Sequence, residues 1–255
     1  MSGMFVWSDI WMVPVVAVAV TQLALLATSV YLHRALAHRA LVVTPTADVL
    51  FRVVLWITTG QSRQEWVAVH RKHHAFTDRE GDPHSPRVFG FWRVQLLNVV
   101  YYIREARNPD TIAKFARDIA PDWLDRVAFS RGLVGPALGV VLLCVVLGVV
   151  PGLLAALLHT VLYVFVAAPL INGLGHWRGA QNFGNTAYNS TVLAWLTAGE
   201  SLHNNHHAHP RAPKFSMRRL EFDPSWVVIR IMTALRLAMV VGEPVRLAAG
   251  RETRR

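Results

Sequence analysis

The chain has a single cysteine, Cys144, set in an apolar run. No disulfide framework can form, and no thiolate metal site is available. Charge is also scarce. Only 16% of the 255 residues are charged and 53% are hydrophobic, whereas a soluble domain is nearer a quarter charged. That shortage points to a one-domain membrane protein. No flavin or nicotinamide fingerprint is present, so redox chemistry would need electrons from a separate protein. The paired Glu-x-x-His motifs of the soluble carboxylate-bridged di-iron bundle are missing too.

The charge that exists is basic, with 26 Lys and Arg against 16 Asp and Glu. These residues flank apolar spans and are not interleaved with aromatics, which excludes nucleic acid as a partner and fits membrane topology. A basic face would also attract anionic lipid headgroups and phosphate-bearing substrates.

Val13–Leu32 runs without a charge for 20 residues, long enough to cross a bilayer. It lacks the basic n-region of a signal peptide and leads straight into His33. Residues 132–150 and 153–171 read as two further spans joined by a hairpin at Pro151-Gly152. Residues 41–61 are broken by Asp48 and Arg52. We expect an interfacial or partly dipping helix over about 46–61, capped by Thr44 or Thr46 near Pro45. A second interfacial helix is expected over 226–241, opened by Asp223-Pro224-Ser225. Positive-inside bias puts the N-terminus and the hairpin outside, with the basic middle and C-terminus cytoplasmic. The expected fold is an all-α membrane bundle of about three spans under a cytoplasmic histidine-rich cap.

What the chain has in abundance is histidine, 12 in all. His203-Asn-Asn-His206-His207 and His70-Arg-Lys-His73-His74 each put three imidazoles within five residues. On a helix these face one way. A looser pair, His33 and His38, follows the first span, and His176 follows the last. Five residues apart, His33 and His38 would diverge by about 140° on a straight α-helix, so we expect that helix to end between them. Nine imidazoles are too many for one tetrahedral zinc and suit two metals with four or five nitrogens each. Iron, copper, nickel and zinc all accept imidazole, and redox-active iron is the reading taken. Asn172, four residues before His176, can coordinate through a water. Glu65, Asp78, Asp82 and Glu200 lie close enough in sequence to accept the outward N–H groups of ligating rings. His84 reads as a turn residue, His159 as a bond between helices within a span, and His209 as outside the site.

These runs resemble the membrane acyl-CoA desaturases of the stearoyl-CoA delta-9 type, the bacterial branch more than the animal one. The resemblance rests on His33-Arg-Ala-Leu-Ala-His38-Arg, Glu65…His70-Arg-Lys-His73-His74, Gly81-Asp-Pro-His84, Asn172…His176 and Gly199-Glu-Ser-Leu-His203-Asn-Asn-His206-His207. It covers residues 30–240 or so. It implies nine histidine ligands and a water-linked Asn172 around two irons, and O2-dependent desaturation of a long-chain fatty acyl group, carried as a CoA thioester. It also implies an outside donor (a ferredoxin, a cytochrome b5-like protein or a flavin reductase) and a bacterial inner-membrane protein with its site on the cytoplasmic face. Trp56, Trp66, Phe91, Trp92, Trp177 and Trp195 are candidate tunnel walls. Arg71, Lys72, Arg87 and Arg178 are candidate partners for CoA phosphates. Hydroxylase, acetylenase or terminal alkene-forming chemistry on the same scaffold is the alternative outcome. A histidine-rich transporter would need ionisable groups inside its spans, where only His159 sits.

Overall fold

The computed structural model describes residues 10–129 and 132–245. The expected outside location of the N-terminus falls on residues beyond the described ones. The protein is mostly helical. Among the described residues, helix α1 (Met12–Ala37) and helix α8 (Val149–His176) are the two helices long and apolar enough to cross a membrane. Between them come β1 (Leu41–Val43), α2 (Pro45–Thr59), α3 (Arg63–Phe76), the single turn α4 (Pro86–Phe89), α5 (Phe91–Ala106), α6 (Pro109–Phe115) and α7 (Val134–Leu147). After α8 follow α9 (Thr191–Leu196), α10 (His203–Ala208), α11 (Pro224–Ala234) and β2 (Ala238–Val240).

Several expectations change. The span expected over 132–150 is a helix of only 14 residues, Val134–Leu147, roughly 21 Å long at 1.5 Å per residue and short of the hydrocarbon thickness. The α7–α8 turn falls at Gly148, where φ is +89°, and not at Pro151-Gly152, which lie buried in the first turn of α8. Proline is at home there because its missing N–H has no helical partner to lose. Gly152 packs against the backbone of Cys144, so α7 and α8 approach closely.

The fold is also not purely α. Residues 226–241 do not stay helical. Helix α11 stops at Ala234, and Ala238–Val240 pairs antiparallel with Leu41–Val43. The strands clip the C-terminal segment to the stretch just after the first histidines, with Ile229 and Met232 packed on Val30, Tyr31 and Leu55.

The local starts follow capping chemistry. Thr44 Oγ1 accepts from Ala47 N with Pro45 at the first position, Ser62 caps α3, and Asp223 caps α11 before Pro224. Helix α2 begins on the histidine side and ends deep. His159 Nε2 donates to the Thr58 carbonyl at 2.9 Å, and Nδ1 of the same ring lies 3.0 Å from Thr21 Oγ1. Thr58 therefore sits level with the middle of both long helices. Gly60, at φ +66°, turns the chain back into α3.

At Gly60 an added Cβ would stand 2.2 Å from the Gly132 carbonyl oxygen, whereas at Gly148 the nearest atom would be 3.8 Å away. Gly60→Ala should therefore lose roughly 2–4 kcal/mol from left-handed strain plus the clash, while Gly148→Ala meets backbone strain alone, about 1–3 kcal/mol, at φ +89° and ψ 162°. Thermal melts in detergent check this; an unchanged melting temperature for Gly60→Ala would contradict the close contact.

Candidate metal centre

Four segments deliver nine imidazoles to one place. From Thr28 to Ala37, α1 widens into a π-helix, with His38 N donating to the His33 carbonyl at 3.0 Å. The helix ends between these two residues, at Ala37, as expected. Its pitch changes, and an i→i+5 repeat aligns residues that an α-helix would separate. Helix α3 brings His70, His73 and His74, the end of α8 brings His176, and α10 brings His203, His206 and His207.

The ring nitrogens converge in two sets. His33, His38, His70, His74 and His206 form one, and His73, His176, His203 and His207 the other. Within the first, Nε2 atoms meet Nε2 atoms at 3.0 Å (His33–His206), 2.8 Å (His206–His74) and 2.8 Å (His38–His70). Within the second the contacts are 3.0 Å (His203–His176), 3.2 Å (His207–His203) and 3.3 Å (His73–His207).

Outward Nδ1 atoms meet acceptors. His33 Nδ1 is 2.6 Å from Glu200 Oε2, His73 Nδ1 is 3.0 Å from Asp82, His176 Nδ1 is 2.9 Å from Asp78, and His203 Nδ1 is 3.1 Å from the Glu200 carbonyl. Each acceptor holds the proton on Nδ1, so each Nε2 presents a lone pair inward. Burial would raise Asp78, Asp82 and Glu200, but the imidazoles beside them win and hold all three carboxyls below their usual range. His38, His70, His74, His203, His206 and His207 sit well below the ordinary histidine range, first because they are buried and then because other imidazoles crowd them. They stay neutral and able to ligate at pH 7. Inward lone pairs 2.8–3.3 Å apart repel unless a cation lies among them. The donor set fits metal ions, one per group.

Of the four expected carboxylates, Asp78, Asp82 and Glu200 hold imidazoles. Glu65 does not. It lies on the wall of a wide cavity, and burial raises its pKa. Asn172 lines a smaller cavity beside His73 and His203, and its Nδ2 donates to Asn98 Oδ1, which leaves its own oxygen available for a water. His84, read as a turn residue, is buried and stacked on His73 at 4.7 Å, and burial pushes its pKa down to about 3.

Two supports had no signal in spacing. Ser29 Oγ donates to Glu200, and buried Arg34 donates to both Asp223 oxygens at 3.1 Å while lying over the Phe215 ring. Their neighbourhood with the imidazoles is set by α11 folding back.

Beside the site lie two cavities of about 850 and 140 Å³. They share Gln61, Val99, Tyr102, Tyr163 and Val164 on their walls, and the smaller adds Leu25, Ala168, Ile171 and the histidines. Trp56 and Trp66 line them. Trp92, Trp177 and Trp195 instead turn outward, with Phe91 stacked on Trp177.

Asp82→Asn keeps the shape and the oxygen that takes the His84 N–H but removes the charge behind His73. It should weaken metal retention about 10–100-fold, as should Glu200→Gln. Glu65→Gln should leave it unchanged. Dialysis against graded chelator, followed by metal analysis, reads this directly.

A sequence profile of the fatty acid desaturases matches residues 9–222. The chain is 30% identical to a delta-9 acyl-lipid desaturase of Arabidopsis thaliana, over 94% of this chain and 76% of that protein. It is 28% identical to an acyl-CoA 5-desaturase of Anemone leveillei, over 94% and 74%. It is 26% identical to an sn-1 stearoyl-lipid 9-desaturase of Synechocystis, over 85% and 67%. With two apolar helices, two imidazole clusters and an apolar cavity at their side, this is a membrane oxidoreductase acting on fatty acyl groups, and the chain belongs to the fatty acid desaturase family.

Proposed function

We propose that the protein inserts a double bond into a long-chain fatty acyl group, using O2 and two iron ions. Five nitrogens (His33, His38, His70, His74, His206) would hold one iron. Four (His73, His176, His203, His207), with a water on Asn172, would hold the other. The observation that carries this reading is the two-set convergence of inward lone pairs. When bound, the irons supply the reduction of O2 to an oxidant strong enough for an unactivated C–H bond.

The chain's own residues do the rest. Asp78, Asp82 and Glu200 fix the rings and leave the centre neutral in ligand charge. Leu25, Ala168 and Ile171 give the acyl chain an apolar seat against His33, His70 and His203, which places one CH2–CH2 pair beside the metals and keeps water out. Tyr163 donates to Gln61 at 3.1 Å where the two cavities meet, and Tyr163 and Thr28 hydroxyls lie 2.8 Å apart. This polar collar fixes the width of the passage. Electrons would come from a separate ferredoxin, cytochrome b5-like protein or flavin reductase. The positive-inside bias supports a site on the cytoplasmic face of a bacterial inner membrane.

Fatty-acid mass spectrometry with double-bond localisation, after expression in a desaturase-null host, tests the reading. A new monounsaturated acyl chain is expected, and it should vanish in His206→Ala. Hydroxylated chains in its place would overturn it.

A further inference from the structure

Desaturation consumes protons. Taking two hydrogens from –CH2–CH2– with one O2 to leave –CH=CH– and two waters balances only with two electrons and two protons. Those protons must cross from water to a buried centre. The groups already placed there are otherwise engaged. The clustered rings turn lone pairs inward, and Asp78, Asp82 and Glu200 are bound to outward Nδ1 atoms.

The two cavities beside the site offer a route. Arg107, exposed just past the end of α5, marks the open edge of the wide cavity, and it acts on Glu65 of α3. Glu65 lines that cavity, and among the described residues its carboxylate has no hydrogen bond and no ion pair. Burial holds its pKa above the ordinary glutamate value, against the pull of Arg107. The other charges on the wall are spoken for. Asp125 is paired with Arg52 and Arg63, and Arg126 donates to the Pro121 carbonyl. Tyr31, facing from α1, donates to Asp48. His159 and Tyr163, facing from α8, donate to the Thr58 carbonyl and to Gln61.

Tyr102 of α5 comes next. Its side chain lines both cavities. Its hydroxyl is buried and has no hydrogen-bond partner among the described residues. Burial first, and then Glu65, push the phenol's pKa up, so it stays protonated. One turn back along the same face of α5, Asn98 also lines the small cavity and accepts from Asn172 Nδ2 at 3.2 Å. Asn172 lies on that wall beside His73 and His203. Glu65, Tyr102, Asn98 and Asn172 thus make a run of polar groups from the open edge to the imidazoles.

We propose that Glu65 and Tyr102 are the proton inlet of the site. Glu65 passes a proton to the Tyr102 hydroxyl oxygen and is reloaded from water at the Arg107 edge. Tyr102 gives its own proton to water held at the Asn98–Asn172 pair. Both residues finish as they began, so the net movement is one proton inward, and two passes balance one double bond. The inference rests on the desaturase reading above and adds how its protons arrive.

The test uses the full-length chain in vesicles, with stearoyl groups supplied both as phosphatidylcholine and as the CoA thioester. In the metal-free protein, infrared titration of the carboxyl stretch should show an acid protonated above the ordinary glutamate range, and Glu65→Gln should remove it. Iron-loaded protein is then reduced with dithionite and mixed with O2. Glu65→Ala should form double bonds about 100-fold more slowly, with bound metal unchanged. Acetate, a carboxylic acid small enough to enter the open cavity, should restore much of the loss and leave the wild type as it was. Tyr102→Phe should be slow too, and deaf to acetate. A lost packing contact would not be repaired by acetate. The proposal falls if Glu65→Ala keeps the wild-type rate, if acetate leaves it slow, or if Glu65 titrates in the ordinary range. Failure of the desaturase reading shows differently, as a wild type that forms no double bond on either carrier; the inlet then stands or falls on the infrared titration.

Discussion

Nine imidazole lone pairs cannot share a small buried volume unless positive charge lies among them. Protonation is the usual source of that charge, and burial denies it here: six of the rings are held well below the ordinary histidine range. Carboxylates on the outward Nδ1 atoms then fix the lone pairs inward. The scaffold enforces an arrangement that a bound cation would relax, so metal held there would contribute stability as well as chemistry.

Much of the remaining structure serves to hold those rings. The π-helical turn of α1 aligns His33 with His38. Behind α10, Asn204 Oδ1 accepts from Asn182 N and Phe183 N, while Asn205 accepts from Asn189 and donates to the Phe215 carbonyl and Glu221. These amides tie the 182–189 loop to the short helix that carries three of the clustered imidazoles. A six-residue helix is unstable alone, and the amide lattice substitutes for the missing length. The partly dipping α2 then leaves room between itself, α5 and α7–α8 for a cavity that reaches the site.

Spacing made the clustered imidazoles legible. His70, His73 and His74, and the 203–207 run, declare a shared face, and Asn172 lines the small cavity beside His73 and His203. Asp78, Asp82 and Glu200 could be read from proximity to the histidine runs, but proximity could not separate them from Glu65, whose side chain turns to the cavity. His84 looked like turn chemistry because Pro83 and Pro86 surround it; only the folded loop shows it stacked on His73. The pairing of Leu41–Val43 with Ala238–Val240 joins segments almost 200 residues apart, and three-residue strands leave no periodicity to find. The π-helix was illegible for a different reason: a five-residue interval has no regular α-helical meaning, so the spacing showed the helix end and not the widened turns before it.

The central claim is that the rings hold two irons, one in each set. Iron content by elemental analysis, with Mössbauer spectra of the purified 57Fe-loaded protein, tests it most directly. The account predicts about two irons per chain in two distinct nitrogen-rich environments, matching the five- and four-imidazole sets. One iron per chain, or zinc in its place with product still formed, would contradict it.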